Sequence, residues 1–267
     1  VQRNLRRGLQ NVALYEIGHV YLWDPKAPAI PALPGGKRPS DEELAALDAG
    51  LPKQPKHVAG ILTGMAVETG WLSESREVDY SDALESVTRI ANRLGANIRF
   101  EQPSIKDAPA QWHPGRVANV VAGFEHSIVG IVGELHPRVN ERLGFPEHSA
   151  AFEIDMDALF DTLDGRPVQA KPISTFPPVK QDLAFTVPVS VSAGTLQQTI
   201  EDAAGDSLES IELFDVFTGD QIGEGMKSLA FAVTFRSPDK TLDSQDSDAL
   251  RQVIIERTSK LGAQLRA

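Results

Sequence analysis

The stretch from Leu213 to Arg236, LFDVFTGDQIGEGMKSLAFAVTFR, constrains the fold more than any other part of the chain. Leu213, Phe214, Val216 and Phe217 form an apolar run, and Gly219, Asp220, Gly223, Glu224 and Gly225 supply turn residues. Leu229, Phe231, Val233 and Phe235 then alternate with Ala230, Ala232 and Thr234. Alternation at period two sends the large residues to one face of a strand and the small ones to the other. The stretch therefore predicts a β-hairpin whose return strand buries one face.

The flanks supply something to bury that face against. A strand at Asp182–Val187 and a helix at Ala193–Ala204 precede the hairpin; a helix over about 244–261 and a short strand at 263–265 follow it. The order βαββαβ predicts a ferredoxin-like sandwich, with two helices on one face of a four-stranded antiparallel sheet. Phe185, Phe231 and Phe235 are expected on the helix-covered face. The glycines between 219 and 225 resemble a phosphate-binding loop only superficially. Met226 separates the last glycine from Lys227, and a strand follows where a phosphate loop needs a helix N-terminus, so a hairpin turn is the expectation.

The first half reads as a second α+β region. Val1–Gln10 opens without methionine inside a helical pattern carrying Arg3, Arg6 and Arg7, which reads as a truncated start. NVALYEIGHVYLW (11–23) predicts a strand or a hairpin pair with a bend or bulge at Gly18. Residues 24–54 form a Pro- and Gly-rich insertion in which Ser40-Asp41-Glu42-Glu43 is a capping box for one short helix. Lys56–Met65 reads as a strand. Asp79 caps a helix with Leu84, Val87, Ala91 and Leu94 on one face and Gly95 at its end. Strands at 98–100, 116–122, 128–135 and 151–155, with short helices after Pro137 and over 156–163, complete the pattern. Residues 165–172 read as a linker between domains 1–170 and 171–267.

Several residues invite a chemical reading. His113, His126 and His136 lack HxxxH or HxH spacing and there is no cysteine, so a metal site is not expected. Glu134, His136 and Glu153 could form an acid/base set for a hydrolase, against which stands a structural role at strand ends. Asp155 and Asp157 are expected to cap the following helix. The absence of cysteine suits a reducing cytosol, and no apolar run reaches the ~20 residues a membrane span needs. A cytoplasmic protein without membrane contact is expected.

Net charge works against nucleic acid binding. The chain carries a formal charge of -11, and from Ser174 onward eight basic residues face fourteen acidic ones. Any RNA contact must come from a local set of cations and base contacts. Lys180, Lys227, Arg236 and Lys240, with Phe176 beside them, are the RNA-binding candidates; the alternative is ordinary solvated charges and a core phenylalanine.

The block from Ser174 through Phe176, Lys180 and Asp182 to Ala184, then LFDVF (213–217), KSLA (227–230), Phe235-Arg236 and KTL (240–242), resembles the ferredoxin-fold anticodon-binding domain that closes the β subunit in bacterial phenylalanyl-tRNA synthetases. VALYEIGHV (12–20), VDYSDA (78–83), WHPGR (112–116), GELHP (133–137) and AFEID (151–155) resemble the class II synthetase-like core of that same family. The resemblance implies a class II synthetase-like antiparallel sheet followed by the ferredoxin-like domain. It also implies partners, an α subunit in an α2β2 heterotetramer and tRNA specific for phenylalanine, and implies ATP and Mg for the whole enzyme with no cofactor in this portion. Leu14 stands where the catalytic pattern places an arginine on its second motif, and residues 151–155 lack a glycine run with a following arginine. Without guanidinium groups to neutralise ATP's phosphates, the core is expected to carry no catalytic residue. A rival reading is an amino-acid-sensing module, because βαββαβ also serves regulatory domains; a phenylalanine-induced rise in melting temperature would favour it.

Overall fold

A computed structural model of the chain describes all residues except 34, 37, 105, 124, 164, 166–173, 220 and 267. Most of the expected linker, 165–172, thus lies outside the described residues. The chain divides into two compact units, Val1–Arg166 and Pro167–Ala267.

The first unit runs α1 (Gln2–Leu5), β1 (Val12–His19), α2 (Asp41–Gly50), β2 (Lys56–Thr63), β3 (Met65–Val67), β4 (Arg76–Glu77), α3 (Tyr80–Leu94), β5 (Ile98–Glu101), β6 (Trp112–Ala122), β7 (Ser127–Leu135), α4 (Pro137–Leu143), β8 (Ser149–Asp155) and α5 (Met156–Asp161). Six strands form one antiparallel sheet in the order β1-β2-β8-β7-β6-β5. Helix α3 forms where its apolar residues recur every three to four positions. Ala83, Val87 and Ala91 are buried against Val120, Val132, Phe152 and Ile154 of the sheet. Gly60 pairs with Phe152, and a Cβ there would lie 2.4 Å from the ring, so only glycine lets Phe152 lie flat across β2.

Residues 12–19 form one strand, the first of the two alternatives expected there. Two expectations are corrected. Gly18 sits in unbroken register opposite His57, with no bulge. The strand expected at 56–65 breaks at Gly64, which adopts φ +88° where its Cα approaches the Gln10 carbonyl too closely for a side chain. The capping boxes at Ser40 and Asp79 form as expected, and Gly95 closes α3 in the left-handed conformation.

The second unit runs β9 (Val179–Pro188), α6 (Ala193–Ala204), a 3-10 turn (Gly205–Ser207), β10 (Leu208–Phe217), β11 (Met226–Phe235), α7 (Ser244–Ser259) and β12 (Gln264–Leu265). The sheet order β10-β11-β9-β12, antiparallel throughout, is the ferredoxin-like arrangement expected from the βαββαβ order. Phe185, Phe231 and Phe235 are fully buried, packed with Leu196 and Ile200 of α6 and Ile254 of α7. Helices cover this face alone; the other carries the small residues Ala184, Ala230 and Ala232, of which Ala230 is buried.

Candidate nucleic-acid interface

Directly paired residues share a face, so the register maps the helix-free face of the β9–β12 sheet row by row. One row reads Phe217, Ser228, Thr186, Gln264 from edge to edge. The next reads Asp215, Ala230, Ala184, and ends where the Arg266 N–H donates to the Ala184 carbonyl at 2.8 Å. Glu212, Ala232 and Asp182 form a third row, and Ser210, Thr234 and Lys180 a fourth.

The aromatic edge is produced by local irregularity. A register shift between Leu213 and Asp215 leaves Phe214 as an unpaired residue, and the bulge turns the end of β10 so that Phe214 and Phe217 stay exposed, at 55% and 44%. Gly219 leaves room for the Phe217 ring, whose Cζ would lie 3.0 Å from a Cβ at that position. Ser228 and Ala230 beside them are buried, at 5% and 8%, so the exposed rings at the β10 edge, with Thr186 and Gln264 farther along the row, are the surface on which bases can stack. Asp215, Glu212 and Asp182 disfavour phosphates over the middle of the same face.

The five residues singled out from sequence do not form one strip. Lys180 is exposed on the helix-free face, opposite Thr234. Lys227 pairs with Val187, seven residues along β11 and therefore roughly 23 Å away, with the parity of the helix-covered face. Burial lowers the affinity of its amine for a proton. Arg236 binds the protein itself: Nε donates to Glu209 Oε2 at 3.0 Å and Nη1 to the Phe176 carbonyl at 2.6 Å. Phe176 is half-buried and so belongs to that clamp. The Lys240 ammonium donates to Asp246 at 2.6 Å, which raises the lysine's pKa and lowers the aspartate's. Phe214, Phe217, Gln264 and Arg266 were not singled out by sequence reasoning. The apolar 213–217 run alone reads as core, and only the bulge and the edge position of β10 reveal otherwise.

The polar residues of the first unit separate in the same way. Glu134 is buried against Arg116, with Nε 2.7 Å from Oε2, and has His148 at 3.5 Å rather than His136. His136 caps α4, its Nδ1 accepting the Arg138 N–H at 3.1 Å, and His113 accepts the Gly115 N–H in the same manner. Glu153 pairs with His57 at 2.8 Å, and Asp155 lies 3.6 Å from the other ring nitrogen while its carboxylate accepts the Ala158 N–H as the α5 cap. Glu134, His136 and Glu153 therefore form no acid/base set. Among the described residues no group of three His, Cys, Asp or Glu side chains is placed to hold a metal ion.

The register puts Leu14, Glu16, His57, Glu153 and Asp155 on one face of the six-stranded sheet, the face away from α3. Three carboxylates, with no arginine in their rows of the sheet among the described residues, would repel a triphosphate, so these residues do not fit ATP.

Comparison with known proteins agrees with both units. Residues 1–156 match the family described as "Phenylalanyl tRNA synthetase beta chain CLM domain", and residues 174–266 match "Ferredoxin-fold anticodon binding domain". The phenylalanine–tRNA ligase β subunit of Bifidobacterium longum is 68% identical over 267 residues, covering 100% of this chain and 30% of that protein. Those of Mycolicibacterium paratuberculosis and Thermobifida fusca are 42% and 38% identical, covering 99% of this chain and 31% and 32% of their own lengths. These matches place the chain among the aminoacyl-tRNA synthetases. Within that class, it belongs to the phenylalanyl-tRNA synthetase β-chain family, and it spans about a third of the length of the curated relatives it matches. No helix among the described residues is long and apolar enough to cross a membrane.

Proposed function

We propose that this chain acts as the non-catalytic, tRNA-gripping portion of a phenylalanine–tRNA ligase, and that the helix-free face of the β9–β12 sheet holds unstacked bases of the anticodon loop. The observation that carries this reading is the row Phe217, Ser228, Thr186, Gln264: an exposed ring at one edge, a buried Ser228, a partly exposed Thr186 hydroxyl, then an exposed amide at the other edge. Rings of this kind stack on any base, and the Thr186 hydroxyl and Gln264 amide are able to read base edges. Lys180 stays within the proposed interface as its phosphate-facing cation; Arg236, Phe176 and Lys240 serve it by holding the fold, and Lys227 lies apart. The whole enzyme, in this reading, is a cytoplasmic α2β2 heterotetramer in which the α subunit uses ATP and Mg to attach phenylalanine to its tRNA.

The test is a titration of the chain with tRNA specific for phenylalanine and with an anticodon-swapped transcript. Phe217→Ala is expected to cost about 1–3 kcal/mol of affinity, the usual value of one stacked base, without changing the salt dependence. Equal binding of both transcripts by the unaltered chain would remove the anticodon assignment.

A further inference from the structure

An open depression of about 420 Å³ lies at the opposite edge of the sheet from Phe217, between α7 and β12. Arg251, Ile255 and Ser259, spaced four residues apart on one face of α7, form one wall. Ala263, Gln264, Leu265 and Arg266 form the other. None of these seven residues is acidic, although from Ser174 onward acidic side chains outnumber basic ones by six. The Nε of Arg251 is buried without a hydrogen-bond partner among the described residues. Neither arginine has a carboxylate of the described residues within ion-pair distance, in contrast to Arg236 and Lys240 in the same unit. Two arginines thus line one depression whose walls carry no carboxylate, and guanidinium groups match the tetrahedral oxygens of a phosphate.

The register connects this depression to the proposed platform. Gln264 is both the last residue of the Phe217 row and a wall of the depression, and Arg266 follows at the end of the next row. Four strands at about 4.8 Å spacing make the path from the ring to Gln264 roughly 14 Å, a distance that two to three extended nucleotides cover. The intervening carboxylates, Asp215, Glu212 and Asp182, lie to one side of that path.

We propose that Arg251 and Arg266 bind a backbone phosphate of the RNA as the strand leaves the sheet over the β12 edge. This rests on the reading of the sheet face as the base platform. Bases lie against Phe217 and Thr186, and the phosphate that follows them enters the depression, with Ser259 and Gln264 as neutral donors beside it. The contact positions the strand and is blind to sequence, whereas the ring and the Thr186 hydroxyl meet the bases.

The experiment compares the unaltered 267-residue chain with Arg251→Gln, Arg266→Gln, Arg251→Lys and Phe217→Ala. Each is titrated with tRNA specific for phenylalanine and with the anticodon-swapped transcript at several salt concentrations. Either Gln variant is expected to lower the magnitude of the log–log salt slope by about 0.7 and to weaken both transcripts by the same factor. Arg251→Lys keeps the charge and hence the slope, which separates lost charge from damage to α7. Phe217→Ala is expected to weaken binding at unchanged slope. Wild-type slope and affinity in both Gln variants, with Phe217→Ala still weakened, would overturn the phosphate subsite and leave the sheet-face reading standing. No effect of any variant, or no binding by the unaltered chain, would overturn both. An acidic peptide that binds in an Arg251-dependent way while RNA binding stays independent of Arg251 would also overturn it.

Discussion

Arg236 illustrates why cations counted in a sequence are poor guides to a binding surface. Its guanidinium joins β11 to Glu209 at the start of β10 and to the carbonyls of Ser174 and Phe176, in a side chain only 25% exposed. Replacing it with alanine leaves two carbonyls and a carboxylate without a donor, and about 1–3 kcal/mol of stability should be lost. Arg236→Lys should recover less than half of this, because one ammonium cannot reproduce the planar fork. Urea midpoints of the three proteins check both expectations. Sequence gave the residue type and its strand-end position correctly, but not its partners, which lie 27 and 60 residues away. His57 was overlooked for the same reason: Glu153 is 96 positions distant, and only the β2–β8 register brings the two together. Phe217 sits in an apolar run that reads as core just as the stretch around Phe231 does; edge position and a bulge separate an exposed ring from a buried one.

At the level of elements, α3 shows how local signals are fixed by tertiary charge. Asp79 caps it by accepting the Ser81 N–H, and Asp82 closes the box on the Asp79 N–H while Arg76 donates two hydrogen bonds to its carboxylate. Asp79→Ala should cost about 1 kcal/mol, read as a lower thermal midpoint. The Arg76 hydrogen bonds hold the Asp82 carboxyl below its ordinary pKa, and the backbone N–H adds to this. A carboxyl depressed in the folded state contributes stability that is fully present above the ordinary value, about 3.9, and lost as pH falls through the folded value. The stability difference between the unaltered chain and Asp82→Asn should therefore be constant above about pH 6 and shrink steadily below about pH 4. A difference that grew on acidification would contradict the sign. Such elements were legible because caps, periodicity and terminal glycines sit within one helix. Over 12–19 the extended backbone was legible but not whether it made one strand or two, because apolar residues occupy both of its parities.

For the whole molecule, the charge of -11 sets what kind of RNA binder this chain is. Affinity cannot come from a broad basic field, so the proposed contacts predict a shallow salt dependence. With Lys180 on one phosphate and Arg251 and Arg266 sharing another, the slope magnitude should be about 1.4, well below that of a protein gripping many phosphates. Titration between low and moderate salt measures it directly. One feature of the six-stranded sheet bears on how the chain behaves at high concentration. β1 is its outermost strand, with Leu14 exposed on one face and Tyr15 and Ile17, at 76% and 60%, on the other. Its outer N–H and C=O groups have no strand beside them among the described residues. Such an edge is a template for a neighbouring copy's edge, and large apolar side chains on both sides remove the usual deterrent. In a solubility screen, crowding the isolated chain should therefore favour strand-to-strand association and eventual precipitation. Ile17→Lys, a charge on the exposed rail, should hold the molecules apart without disturbing the core.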